Sequence, residues 1–219
     1  MKVVYISVVN LKGGSGKTST IINLGGVLRE KGLKPLLIDC DPQQSATRWA
    51  TQGGKDFPFH VAPIVIGKHV RQFKDKLQQL TAEHKANVVL FDTPPALANE
   101  ALVAALLSDV VMIPVGASPL DLWATEESLK VVKEVRAEVK GEKPKVVIIP
   151  SRLLPQTLLA REIKSVLKKF NELVGPSITS RIAMVEASIA GLTVDLYAPK
   201  SASHTEFKIL MEFILKELS

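Results

Sequence analysis

Residues 10–20 read N-L-K-G-G-S-G-K-T-S-T. A glycine-rich loop that ends in a lysine and a hydroxyl residue can wrap a chain of phosphates. Its backbone N–H groups point inward, and the N-terminus of a following helix adds positive potential. Gly13, Gly14, Ser15, Gly16, Lys17, Thr18 and Ser19 are the candidate nucleotide contacts. Lys17 would meet the β- and γ-phosphates, and the Thr18 hydroxyl would ligate Mg²⁺. The strict spacing GxxxxGK[ST] asks for glycine at position 11, where Leu11 stands, and a second lysine, Lys12, precedes the double glycine. Three carboxylates could complete such a site: Asp39 and Asp41, either side of Cys40, and Asp92 after VVLF. Cleaving a triphosphate requires neutralising charge that spreads over the phosphoryl oxygens and aligning a water in line with the γ-phosphate. The competing role for Asp39 or Asp41 is a turn or helix N-cap carboxylate, a strong rival for Asp41 because Pro42 follows it.

These residues need elements to hold them. Apolar, β-branched runs occur at 3–9, 35–39, 87–92, 109–115 and 145–150, several of them apolar at nearly every position, as strands buried on both faces of a parallel sheet are. Between them, segments 17–31, 69–84, 119–140 and 156–172 carry apolar residues at helical spacing, Val70, Phe73, Leu77 and Leu80 among them. Strands alternating with helices predict an α/β fold, a mostly parallel twisted sheet with helices on both faces. Asp92 would then stand at the carboxyl edge of its strand, where open α/β sheets bind ligands. Gly53-Gly54 and Gly141 read as turns, and no linker or repeat divides the chain, which predicts a single domain over 1–219. Segment 199–218 predicts a closing helix with Phe207, Leu210, Met211, Ile214 and Leu218 on one stripe, a core-packing pattern. A membrane-surface helix would want a lysine-rich polar face, whereas Glu206, Glu212 and Glu217 balance Lys208 and Lys216.

Composition narrows the classes. Of 219 residues 46% are hydrophobic and 23% charged, close to the globular average, so disorder is not the main theme. The single cysteine, Cys40, excludes an intrachain disulfide framework, an all-cysteine zinc site and a cysteine-ligated iron–sulfur cluster within one chain. No run approaches the roughly 20 apolar residues of a bilayer-spanning helix, and the start of the chain lacks a signal-peptide cleavage pattern. A cytoplasmic setting is the expectation. The net charge is +6, and residues 143–181 hold Lys143, Lys145, Arg152, Arg161, Lys164, Lys168, Lys169 and Arg181 against Glu162 and Glu172. Such an excess is either a solvated face or an electrostatic footprint for nucleic acid.

KGGSGKT resembles the deviant Walker A motif of the ParA/MinD family of ATPases, which are P-loop NTPases. LLIDCDPQQSAT (36–47) resembles that family's second motif and VVLFDTPPA (88–96) its Walker B motif; PVGASPLDLWATEES (114–128) and RIAMVEASIAGLTV (181–194) are similar to later blocks of its small plasmid- and cargo-partition members. The resemblance implies a single P-loop NTPase domain without an N-terminal helix-turn-helix extension. It implies ATP and Mg²⁺ as cofactors, with Thr18, Asp39 and Asp92 around the metal. It gives Asp41 the orientation of the attacking water and Lys12 a contact with nucleotide bound by a partner subunit, in an ATP-sandwich homodimer. A cation supplied in trans, like an arginine finger, acts only when two subunits close together. Adenine would lie near Pro150, Ser151 and Arg152.

The resemblance further implies weak ATPase activity stimulated by a ParB-like or other cargo adaptor. It also implies binding of non-specific duplex DNA by the nucleotide-bound dimer, and so a place on the nucleoid. Arg181 and Lys200 are the first DNA candidates, with Lys164, Lys168 and Lys169 second; singly, each is better explained as a solvated surface charge. Such contacts go to phosphate and position a protein without reading sequence. Two rivals share the scaffold: a membrane-associated division-site regulator of the MinD type, and a metabolic ligase that spends ATP to activate a carboxylate.

Overall fold

The computed structural model describes residues 2–66, 70–95, 98–141, 143–154 and 156–218. His69, the first residue of the expected helix 69–84, and Ala96, the last of the 88–96 block, lie outside the described residues, as do Met1 and Ser219. The strands are β1 (Val4–Val8), β2 (Pro35–Asp39), β3 (His60–Pro63), β4 (Val88–Asp92), β5 (Val110–Val115), β6 (Lys145–Pro150) and β7 (Leu173–Val174). They form one sheet in the order β3-β2-β4-β1-β5-β6-β7, and every described pairing is parallel. The helices are α1 (Lys17–Glu30), α2 (Ser45–Gly53), α3 (Val70–Glu83), α4 (Ala98–Leu107), α5 (Pro119–Val139), α6 (Leu158–Leu167), α7 (Ile182–Ala190), α8 (Val194–Tyr197) and α9 (Ala202–Leu218).

The five apolar runs are the five inner strands, because burial on both faces demands apolar side chains at consecutive positions. Alternation along each strand divides the core in two. Ile6, Val8, Leu37, Leu90 and Met112 pack against Ile21, Ile22 and Leu24 of α1 and Phe207, Leu210, Met211 and Ile214 of α9. On the other face Leu36, Ile38, Val89 and Phe91 meet Phe73, Leu77 and Leu80 of α3. Val111, Ile113 and Ile148 on that same side meet Ala101, Leu129, Val132 and Ile163 of α4, α5 and α6. The stripe on segment 199–218 is therefore core, as its pattern predicts.

Two edge strands and four helices add to the sequence reading. β3 (H-V-A-P) buries only Ala62 and β7 is two half-buried residues, so neither carries a continuous apolar run. The 156–172 segment is helical only over Leu158–Leu167, followed by a 3₁₀ turn at Lys168–Phe170 that Asn171 closes in a left-handed conformation (φ 55°). Helices α2, α4, α7 and α8 were not among the segments singled out by helical spacing.

Parallel strands put all their carboxyl ends on one edge. Register pairs Val8 with Asp92 and Asp39 with Asp92, so the ends of β1, β2 and β4 are level. β1 lies between β4 and β5, where the strand order reverses, and the loop after it opens at that switch point.

Candidate nucleotide-binding site

The loop after β1 runs to Gly16, which caps α1 with φ 93°; Gly14 has φ 70°. Both values lie in the left-handed region that a β-carbon disfavours, so glycine is required to fold this loop. Asn10, fully buried, braces it: Nδ2 donates to the Pro114 carbonyl at 2.7 Å, and Oδ1 accepts from the Lys12 N–H at 2.8 Å. The Leu11 N–H donates to the Ser128 hydroxyl at 3.2 Å, and its side chain packs on the α4–α5 core. Leucine thus stands where the strict pattern has glycine because here that position anchors the loop to α5. Lys17 is 7% exposed, and its ammonium donates to the carbonyls of Asn10 at 2.9 Å and Lys12 at 3.2 Å. Burial lowers its pKa, while Asp92 and Asp41 nearby favour the charged form.

The three carboxylates stand in different environments. Both Asp92 oxygens are buried and make no hydrogen bond of ordinary geometry, although the Thr18 hydroxyl is near enough to favour the charged form. Burial pushes its pKa up to about 7; the Asp39 and Asp41 charges add to this, and the Thr18 hydroxyl and Lys17 oppose it. Asp39 is fully buried and fully engaged: Oδ2 accepts from the Thr47 N–H and hydroxyl, both at 2.8 Å, and Oδ1 from the Asp41 N–H at 3.2 Å. It ties the first turn of α2 to the end of β2, and burial raises its pKa. Oδ1 of Asp41 accepts from the Gln43 N–H at 2.8 Å, the turn role that was its rival, and the residue also borders the hollow over the loop.

That hollow has a volume of about 650 Å³ and is lined by Gly13 through Thr20, with Asp41, Ser151, Arg152 and part of α7. Pro150 is not part of its lining; it pairs with Val115 inside β6. Ser151 reaches the wall, but its hydroxyl donates to the Ile149 carbonyl at 3.0 Å. Arg152 donates from Nη1 to the Gly14 carbonyl. Lys12 Nζ lies 2.6 Å from Asp121 Oδ1. Asp121 sits in the first turn of α5, whose N-cap Ser118 donates its hydroxyl to Asp121 Oδ2 and accepts from the Asp121 N–H at 3.2 Å.

The DNA candidates divide between two regions. Arg181, at the start of α7, lines the hollow and pairs with Glu206 of α9 at 3.2 Å; Lys200 is exposed in the turn before α9. Lys164, Lys168 and Lys169 are exposed on α6 and the turn after it, with Lys169 3.8 Å from Glu126 of α5 and over the Phe170 ring.

Asp121 and Asn10 were not singled out from sequence. Asp121 had a signal: Ser118-Pro119-Leu120-Asp121 is an N-cap hydroxyl, a first-turn proline and an acidic third residue, a helix-start pattern. That pattern says nothing of the lysine it meets.

A phosphate loop at the switch point, a buried lysine and an unpartnered strand-end carboxylate define a P-loop NTPase fold. The chain belongs to the family described as CobQ/CobB/MinD/ParA nucleotide binding domain, whose model matches residues 6–194. It is 30% identical to the chromosome-partitioning ATPase Soj of Thermus thermophilus, over 98% of this chain and 96% of that protein. It is 28% identical to the maintenance of carboxysome distribution protein A of Halothiobacillus neapolitanus, over 88% of this chain and 87% of the relative. Among solved structures it superposes on cobyrinic acid a,c-diamide synthase of Mycobacterium smegmatis with bound ADP and magnesium, at TM-score 0.75 and 19% identity, covering all of this chain and 96% of that one. The fold is thus shared with a synthase, and it is the sequence relatives that point to positioning or partition ATPases.

Proposed function

We propose that the protein is an ATPase that dimerises on ATP, binds duplex DNA without sequence preference as the dimer, and so positions or segregates a plasmid, chromosome or other cargo. The observation that carries this reading is Lys12, a second lysine beside the phosphate cradle, held at the surface by Asp121. Exposed Leu120 and Trp123 flank Asp121 on α5, an apolar setting suited to a second copy. Relatives named for partition and for carboxysome distribution support the same class of work.

In this reading the Gly13–Ser19 backbone and Lys17 hold the phosphates, and Lys12 leaves Asp121 for nucleotide bound by the partner subunit. Asp41 orients the attacking water. The unpartnered oxygens of Asp92 beside Thr18 fit a hydrated divalent cation, with Thr18 as direct ligand and Asp92 acting through water. A magnesium ion there would neutralise charge on the β- and γ-phosphates. Asp39, with its hydrogen bonds spent on Thr47 and Asp41, supports this shell from behind. The first lysines and arginines to test on DNA are Arg181 and Lys200, then Lys164, Lys168 and Lys169. A cargo-bound, ParB-like adaptor would stimulate a slow intrinsic hydrolysis, and the protein would work on the nucleoid in the cytoplasm.

The MinD-type alternative needs an apolar face for lipid. On α9 that face is spent on the core. The test is a gel shift and sedimentation comparison on non-specific duplex DNA with ATP, ADP or no nucleotide, alongside Lys12→Ala. DNA binding seen only with ATP, weakened by salt and lost in the variant, is the expected result. Normal ATP-dependent dimers that ignore DNA would overturn the DNA part and leave the switch standing.

A further inference from the structure

Arg152 follows β6 with its backbone in the left-handed region (φ 56°), a conformation that a residue with a β-carbon adopts only when its surroundings enforce it. From there its side chain folds back over the phosphate loop, 138 positions earlier in the chain, and Nη1 donates to the Gly14 carbonyl. Its stem lies on the two left-handed glycines: a β-carbon at Gly16 would stand 3.6 Å from Cδ, and one at Gly14 3.8 Å from Nη1. Arg152 borders the 650 Å³ hollow on one side and, on the other, a hollow of about 370 Å³ that Lys12 and Asp121 also line.

The guanidinium carries five N–H donors. One is used on a neutral carbonyl, and among the described residues no carboxylate lies within ion-pairing distance of it. A planar cation with donors to spare, lying along a loop built to hold phosphates, matches phosphate oxygens better than a purine edge. The two residues before it do not supply side-chain contacts of their own, since Pro150 is inside β6 and the Ser151 hydroxyl is turned onto Ile149.

Resting on the nucleotide reading above, we infer that Arg152 contacts the phosphate chain of nucleotide bound in its own subunit, with the Gly14 carbonyl as its nucleotide-free resting place. It is thus a cation in cis, beside Lys12 acting in trans, and the β6–α6 loop senses phosphate charge rather than the base.

The test measures the affinity of the purified protein for Mg-ATP and for inorganic tripolyphosphate, which has no base, in wild type and in Arg152→Ala, Arg152→Gln and Arg152→Lys. The expected result is a loss of about tenfold or more for both probes in the alanine and glutamine variants, the scale of one charged hydrogen bond, with lysine recovering part of it. Loss of ATP affinity with unchanged tripolyphosphate affinity would make Arg152 a base or ribose contact and overturn the inference. Glutamine, which can still donate to Gly14, performing as well as arginine would make the side chain a neutral brace of the loop and overturn it too. A wild-type protein that binds neither probe would instead sink the nucleotide reading itself; normal wild-type binding with an indifferent Arg152→Ala would sink this inference alone.

Discussion

The ammonium of Lys12 and the carboxylate of Asp121 meet at 2.6 Å, although 109 positions separate them in the chain. The pair joins the phosphate loop to the first turn of α5, with the lysine side chain 36% exposed and the aspartate 12%. It holds a cation at the rim of the cradle. With its lysine end open to solvent and its carboxylate largely covered, the pair is worth about 1 kcal/mol, the upper end of the range for exposed pairs, and a phosphate can still take the cation.

Asp121→Asn keeps the shape of the side chain and removes its charge. Lys12 is then free before any partner arrives, so ATP-dependent self-association should move to several-fold lower protein concentration, read by analytical ultracentrifugation. The thermal midpoint should fall only slightly, in line with a loss of about 1 kcal/mol from the pair and the cap. A dimer no tighter than wild type would show that Asp121 does not compete for Lys12.

Asp92 titrates near pH 7 in the folded protein, above its ordinary value of 3.8. The folded state therefore binds more protons than the unfolded chain between these values, and stability falls as pH rises through that window and levels off above 7. Three pKa units correspond to about 4 kcal/mol as an upper scale. Asp92→Asn should raise the melting temperature of the nucleotide-free protein more at pH 8 than at pH 5. In wild type, Mg-ATP binding at pH 6 should release a proton, measurable by calorimetry in buffers of different ionisation enthalpy. Equal stabilisation by the substitution at both pH values would refute the shift.

Thr47 supplies two of the three hydrogen bonds that Asp39 accepts. Thr47→Val keeps the backbone N–H and removes the hydroxyl, leaving a fully buried carboxylate short of a donor. The expected cost is about 1–3 kcal/mol in urea denaturation, more than a surface threonine would show. An unchanged midpoint would mean that water replaces the hydroxyl.

Gly191→Ala and Gly54→Ala separate two reasons for glycine. At Gly191 (φ 69°) a β-carbon would stand 2.1 Å from the Gly53 nitrogen, a backbone clash; at Gly54 (φ 55°) nothing lies within 4 Å. Gly54 (ψ −128°) lies outside the left-handed α region, so Gly54→Ala should cost about 1–3 kcal/mol from conformation alone, and Gly191→Ala, which adds a backbone clash, more than that. Circular-dichroism melts of the two variants check it, and comparable melting temperatures would sink the packing argument.

The inner strands were legible because burial on both faces writes an unbroken apolar run, and the cradle was legible because its glycines, lysine and threonine are consecutive. β3 and β7 were not, since an edge strand such as His60–Pro63 has one face or less to bury. The tie from Lys12 to Asp121 and the reach of Arg152 onto the Gly14 carbonyl were illegible for another reason: each joins groups more than a hundred positions apart in the chain. Asp41 shows both readings at once, serving as the turn carboxylate that local sequence suggests and bordering the hollow as the resemblance implies.

The missing β-carbons at Gly53 and Gly191 let the ends of α2 and α7 meet backbone to backbone, and the Trp49 indole N–H fastens the same junction by donating to the Leu192 carbonyl at 3.0 Å. With no side chain between them to yield, the two helices have no slack along this seam. The other end of α2 is gripped by Asp39 through Thr47. α2 is thus held at both ends, to the end of β2 and to the end of α7, and Arg181 stands at the far end of the helix it is joined to.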